Sequence, residues 1–395
     1  MLFIVTTPHE GRAPAGAAGG GFRGTAVVSP EIVPETLLLP ADTVVRVSGR
    51  PSGTSLGHRI SDLSLRGSLI FVLAALVIVF GALNGGIFLS TSNFTEIANA
   101  QVVTGLLAIG VAVVLIAGEL DLSVAAVMGT VGATVALLLT RGTNPVVAVV
   151  IGLAIAFAIG AANGILVGYF RINSIIVTLG SASIATGIGL AIVGPDTVSA
   201  FPNSFVNFFT ITAGGLESSF FMLLGVVIVA AFFLQFTPLG RRLFFMGQNV
   251  HAAHLLGIRV KRIKLGSFIV ASLLAGVAGI VLAAQSDSAS VVETTSYLLP
   301  AYAAAFLSTT AITPARFNAV GALIAAIILG TVDTGLNELA VPDWTTYAFD
   351  GGLLIIALGL FTLLKTTRAR ASSVRTSEVT APTTRDEPAA NPVQV

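Results

Sequence analysis

Residues 237–265, TPLGRRLFFMGQNVHAAHLLGIRVKRIKL, hold the densest grouping of chemically active side chains in the chain. Arg241, Arg242, Arg259, Lys261, Arg262 and Lys264 fall here, with no Asp or Glu. A basic segment between two apolar runs offers cations to a partner surface. Within it, Ala252 and Ala253 are small enough to let another helix approach closely. Gly257 can end a helix in the left-handed conformation. His251 and His254 stand three apart, on one helix face, but two imidazoles without a nearby carboxylate make a poor metal site. The chain has no cysteine, so disulfides and thiolate metal sites are excluded.

Several chemistries are missing. The three lysines, Lys261, Lys264 and Lys365, follow Val260, Ile263 and Leu364, so none completes the Gly-Lys-Ser/Thr end of a phosphate-binding loop. No His-Glu-x-x-His arrangement is present. No catalytic constellation is visible, and the net charge of +1 points to no nucleic-acid partner. Carriers coupled to protons need carboxylates or histidines inside their spans. Here Glu119 and Asp121 fall at a junction between two apolar runs, and Asp333 and Asp350 near the ends of the last two.

The elements that must position these residues are apolar helices. Charged residues are 10% of the 395 and hydrophobic ones 54%, where soluble domains carry roughly 25% charged residues. Uncharged runs recur at 67–95, 97–118, 122–140, 142–170, 172–195, 218–240, 265–286 and 294–315. A bilayer core needs about 20 helical residues. The runs therefore predict an all-α polytopic membrane protein of about ten helices, near 68–88, 97–117, 121–140, 145–169, 174–194, 217–237, 266–286, 298–312, 317–336 and 345–364. Placing the N-terminus in the cytoplasm puts Arg59, Arg66, Arg171, residues 237–265, Arg316 and Lys365 on that side. The opposite loops then carry Asp196, Asp287, Glu293, Glu338 and Asp343 without a Lys or Arg, and only Arg141 goes against the rule. Residues 197–216 are uncharged and almost long enough to cross, but Pro202, Asn203, Asn207 and a Gly-Gly pair favour an outer loop with an interfacial segment. Residues 1–65 and 366–395 read as disordered cytoplasmic tails flanking a 66–365 membrane domain. A start assigned too early would account for the first 65 equally well.

Amides and hydroxyls within or near the spans are candidates for a weakly polar pathway: Asn99, Gln101, Asn163, Asn173, Thr178, Ser181 and Ser183. Buried polar groups must find partners, so hydrogen bonds between helices are the competing explanation. Asp121 and Ser123 admit two readings as well, a helix N-cap or a helix break beside the passage.

Three blocks carry a family resemblance. GELDLSVAAV (118–127), NGILVGYFRINSIIVTLG (163–180) and TPLGRRLFFMGQNVHAAHLLGIRVKRIKLGSF (237–268) resemble, in order and spacing, those of ribose/xylose/arabinose-type ABC importer permease subunits. The resemblance implies a bundle that pairs with a second copy or a paralogue, two cytoplasmic ATPase subunits, an extracytoplasmic solute-binding protein and a bacterial plasma membrane. ATP and magnesium would belong to the ATPase, leaving this chain without cofactor. It also implies that Gly247, Asn249, Ala252, Ala253, Gly257 and Ile258, with His251 and Arg259 beside them, form the ATPase-coupling loop. The chain departs from the pattern in two places. His251 stands where the family usually has Glu, and AFLSTTAITPARFNAVG (305–321) replaces a Gly-Gly-rich segment. The expected function is import of a small polar solute, a monosaccharide or related polyol, by alternating access driven from the partner. Nucleosides or branched-chain amino acids are the alternative cargo. A stand-alone facilitator or ion-coupled carrier is the alternative class, and such a carrier would have no need of an ATPase-docking helix.

Overall fold

A computed structural model describes residues 68–380 apart from 195–196, 312–315 and 343. The chain is helical from end to end of this region: α1 (Ser68–Phe88), α2 (Thr91–Ile116), α3 (Val124–Thr140), α4 (Pro145–Gly168), α5 (Ser174–Val193), α6 (Asn203–Thr210), α7 (Ser218–Phe236), α8 (Pro238–Gln248), α9 (Val250–Leu255), α10 (Val260–Ser286), α11 (Leu298–Leu307), α12 (Ala319–Glu338) and α13 (Trp344–Thr380). Eight of these are long and apolar enough to cross a membrane; α3, at 17 residues, and α11, at 10, are shorter. Helices lie near the ten expected positions, and eight of them have the length and composition of a membrane span. The chain is a multi-pass membrane protein.

Side-chain caps set many of the helix starts. Ser90, Asn144, Asn173, Thr237, Asn249 and Asn318 each accept a hydrogen bond from a first-turn backbone N–H, which satisfies donors that the helix itself cannot. Pro145 and Pro238 occupy first-turn positions, where no N–H is needed. Most of α2 and α10 is buried, with α3, α4 and α11 packed around them. Close approach depends on glycine here. A methyl on Gly132 would sit 2.8 Å from the Gly279 carbonyl oxygen, and one on Gly160 would sit 2.8 Å from that of Phe268. Lipid gives no reward for burying apolar area, so such backbone contact is what holds a bundle together. By contrast α1, α4, α5, α7 and α13 leave most of their apolar surface exposed, as helices facing lipid do.

Residues 197–216 form no spanning helix. They contain the eight-residue amphipathic α6 and short strands β1 (Val198–Ser199), β2 (Thr212–Ala213) and β3 (Leu216–Glu217). Strand β1 pairs antiparallel with β4 (Ser288–Ala289), and β2 with β3. Phe205 and Phe209 turn inward from α6 while Phe208 stays exposed. Of the expected tails, 1–65 and 381–395 lie outside the described residues, and 366–380 continue α13 as helix.

Candidate functional site: a basic segment and the connection above it

The basic segment folds into two short helices, α8 and α9, laid against the end of the bundle. Gly240, Leu243 and Met246 recur at helical spacing and are buried, leaving Arg241 and Arg242 exposed. Thr237 and Asn249 cap the two helices through Gly240 N (3.1 Å) and Ala252 N (3.0 Å). Gly257 has φ 69° and follows α9, and Ile258 N donates back to the Ala253 carbonyl at 3.0 Å, closing the helix. The small residues divide between two directions. Ala253 is fully buried in its own chain, whereas His251, His254, Leu255 (89% exposed) and Leu256 (68%) face outward. Ala252 and Ile258 are half-buried and Arg259 is exposed. The exposed residues of the segment thus include an apolar pair, Leu255 and Leu256, and the cations Arg241, Arg242 and Arg259.

Above this segment lies the connection between α2 and α3, residues 117–123, and the two touch through glycine. A methyl on Gly247 would overlap the Ile116 carbonyl oxygen, and one on Gly118, itself at φ 80°, would meet Gly247 Cα at 3.8 Å. Lys264 of α10 forms an ion pair with Glu119. The rest of the connection has few backbone partners of its own, and side chains from three other helices supply them. From α5, Ser174 Oγ accepts from Leu120 N (3.3 Å) and Thr178 Oγ1 from Leu122 N (3.1 Å). The Tyr302 hydroxyl of α11 accepts from Asp121 N (3.0 Å) and donates to Asp121 O (2.9 Å). Asn163 of α4 donates to Ser123 Oγ (3.0 Å), which donates to Asp121 Oδ1 (2.5 Å). Asp121, Ser123, Asn163 and Thr178 are all fully buried. Among the described residues, Asp121 Oδ2 and Asn163 Oδ1 have no hydrogen-bond partner. The cap reading of Asp121 applies in modified form. Its Oδ1 accepts from Ser123 N (2.9 Å), just before α3 starts, while the Ser123 hydroxyl caps nothing.

The other pathway candidates are scattered. Asn99 lies towards the opposite face, where its side chain donates to Gly215 O (3.1 Å) and accepts from Glu217 N (3.0 Å), pinning the β2–β3 hairpin. Gln285, missed in the sequence, joins this group by donating to Asn99 O and Glu217 Oε2. Gln101 packs on Gly330 of α12, with its Oε1 buried and unpaired among the described residues. Asn173 spends its side chain on the α5 cap, and Ser181 and Ser183 bond within α5. Ser174 and Tyr302 also escaped the sequence reading. Their partners are backbone groups 54 and 181 residues away, for which sequence has no signal. Among the described residues no cluster of three or more His, Cys, Asp or Glu could hold a metal.

The fold defines a multi-pass helical membrane protein whose basic segment packs, through α8, against a buried interhelical connection. The chain belongs to the branched-chain amino acid transport system / permease component family, whose model matches residues 93–358. It is similar to the D-allose transport system permease protein of Escherichia coli K12, 33% identical over 295 residues that cover 74% of this chain and 90% of the relative. The ribose import permease protein of Bacillus subtilis 168 is 30% identical, covering 72% and 89%. The L-arabinose ABC transporter permease protein of Azospirillum brasilense is 29% identical, covering 73% and 84%.

Proposed function

We propose that this chain is the membrane-spanning subunit of an ABC importer that carries a monosaccharide across a bacterial plasma membrane. The observation that carries the substrate class is the set of relatives, whose names give allose, ribose and arabinose as cargo across nearly their full lengths. ATP binding and hydrolysis belong to a cytoplasmic partner. That partner docks on α9, whose outward Leu255 and Leu256 supply an apolar anchor, with the exposed cations Arg241, Arg242 and Arg259 in the same segment. An extracytoplasmic binding protein delivers the sugar, and a second copy or paralogue completes the passage. The excess of Lys and Arg on the α8–α9 side supports its assignment to the cytoplasm, and the termini with it.

In this scheme the chain's own polar groups stabilise the bundle more than they grip the cargo. Tight binding midway would slow release, so selectivity rests with the binding protein. The test is uptake into proteoliposomes holding the chain, its ATPase and its binding protein. D-allose, D-ribose and L-arabinose are each offered as labelled substrate with ATP inside. ATP-dependent uptake of at least one, unaffected by excess leucine or adenosine, is expected. Uptake of leucine alone would move the assignment to amino acids, as the family's description suggests. Downhill transport by the pure chain without any ATPase would replace an importer subunit with a facilitator.

A further inference from the structure

Beside α9 the bundle opens into a cleft of about 570 Å³. Its walls come from three places: the α4–α5 connection with Arg171 and Ile172, α9 with His251 and His254, and the start of α10 with Lys261 and Lys264. The one acidic group in the lining, Glu119, is held by Lys264. Arg171 and Lys261 are exposed and have no carboxylate partner among the described residues. Lys261 lies over the Tyr169 ring, 5.6 Å from its centroid, which leaves its charge unneutralised. Arg171 is one of few non-glycine residues with positive φ, 60°, in the tight turn where Phe170 N and Ile172 N bond back to Ile165 O and Leu166 O. The cleft therefore concentrates positive charge that nothing in the described chain neutralises.

We infer that this cleft receives a carboxylate-bearing segment of the same ATPase that docks on α9. The inference rests on the importer assignment and extends it, giving the charge sign of the partner's contact and placing half of it outside residues 237–265. Continuity argues for this occupant. Two cleft residues, His251 and His254, lie on the exposed face of α9, one turn or less from the apolar anchor Leu255 and Leu256. A partner seated on that anchor reaches the cleft without a further surface. An opposite charge is then required, since a second cation facing Arg171 and Lys261 would be repelled. His251 stands where the resembled family usually has Glu, so no carboxylate enters the cleft from that position. The α4–α5 connection is thereby tied to the partner directly, alongside the route through α9.

The absence of native cysteine allows a direct test. Ile172→Cys in the full chain, assembled with its ATPase and carrying a thiol-linked benzophenone, is illuminated and the crosslinked peptide sequenced. The expected product is an ATPase peptide with at least two Asp or Glu close to the attachment point. A crosslink only to lipid, to a second copy of this chain or to an ATPase segment without acids overturns the inference. In parallel, Arg171→Gln with Lys261→Gln should weaken ATPase binding about tenfold at low salt, and the difference should vanish near 0.5 M salt. Monodisperse elution and unchanged melting establish that the double variant folds. Equal affinity and equal salt dependence in wild type and double variant would reject the cleft while leaving ATPase docking on α9 intact. Loss of binding to phosphatidylglycerol vesicles with ATPase affinity unchanged would make the cleft a lipid site instead. Failure of wild type to bind any ATPase would remove the importer assignment itself.

Discussion

Gly247 and Gly257 sit in one short motif, yet the structure needs them for different reasons. Gly247 is required by space, because its neighbour is the Ile116 backbone, which has no rotamer to change. Gly257 is required by conformation, with φ 69° and open space around it. Gly247→Ala should therefore destabilise by about 1–3 kcal/mol, and Gly257→Ala by about 1 kcal/mol. Thermal melting of the two variants in the same detergent checks the order, and an equal loss would refute the distinction. The motif marked both positions in sequence and gave neither reason, because the neighbour of Gly247 is 131 positions upstream. Tyr302 makes the converse case. Nothing around it in sequence suggests chemistry, but its hydroxyl satisfies both backbone groups of buried Asp121. Tyr302→Phe keeps the ring and strands those groups, so a loss of about 1–3 kcal/mol is expected. Thr178→Val should act through Leu122 N in the same way. Since both side chains hold one connection, the double variant should lose less than the sum of the singles, measured as a double-mutant cycle.

At the scale of elements, the question is how movement of α8 and α9 reaches the bundle. Two contacts lead to residues 117–123: glycine packing at Gly247, and the Lys264–Glu119 pair, in which both side chains are more than four-fifths buried. The connection is in turn bonded to α4, α5 and α11. Residues 117–123 thus form one node that joins residues 237–265 to three helices. Lys264→Met should lower ATP-driven uptake, measured with the ATPase saturating, by a few-fold to about thirtyfold, the range of about 0.5–2 kcal/mol in coupling. Exchanging the charges, Glu119→Lys with Lys264→Glu, should restore much of the uptake. If Lys264→Met transports as wild type does, the pair is structural only. Asp121 with Ser123 and residues 237–265 both stand out in sequence, since each places polar groups at the edge of an apolar run. That they meet was illegible, because the contact joins backbone to backbone and an ion pair across 145 positions.

For the whole molecule, span positions were largely legible because an uncharged run of sufficient length has few alternatives in a chain this apolar. The difficult stretch was 197–216, where length argued for a crossing and composition against it. Its resolution decides the sidedness of everything that follows, since one added crossing would move α8 and α9 to the other face. The structure turns the stretch back on itself through α6 and the β2–β3 hairpin, and Asn99 near the start of α2 grips that hairpin. The same side chain would have no hairpin to hold if the segment crossed. Consequently the hairpin and α9 must lie on opposite faces, separated by α7. Single cysteines in the cysteine-free chain can read this out: Thr212→Cys in β2 and Leu255→Cys in α9, both exposed. In intact cells an impermeant maleimide should label position 212 and leave 255 unlabelled until the membrane is opened. Labelling of 255 from outside would invert the bundle and place the cationic face where no ATPase can reach it. Labelling of both from outside would mean that α7 does not cross. Backbone topology sets only that the two positions lie on opposite faces, and charge asymmetry alone assigns α9 to the cytoplasm. An inverted labelling would therefore count against the charge rule, and labelling of both from outside against the α7 span.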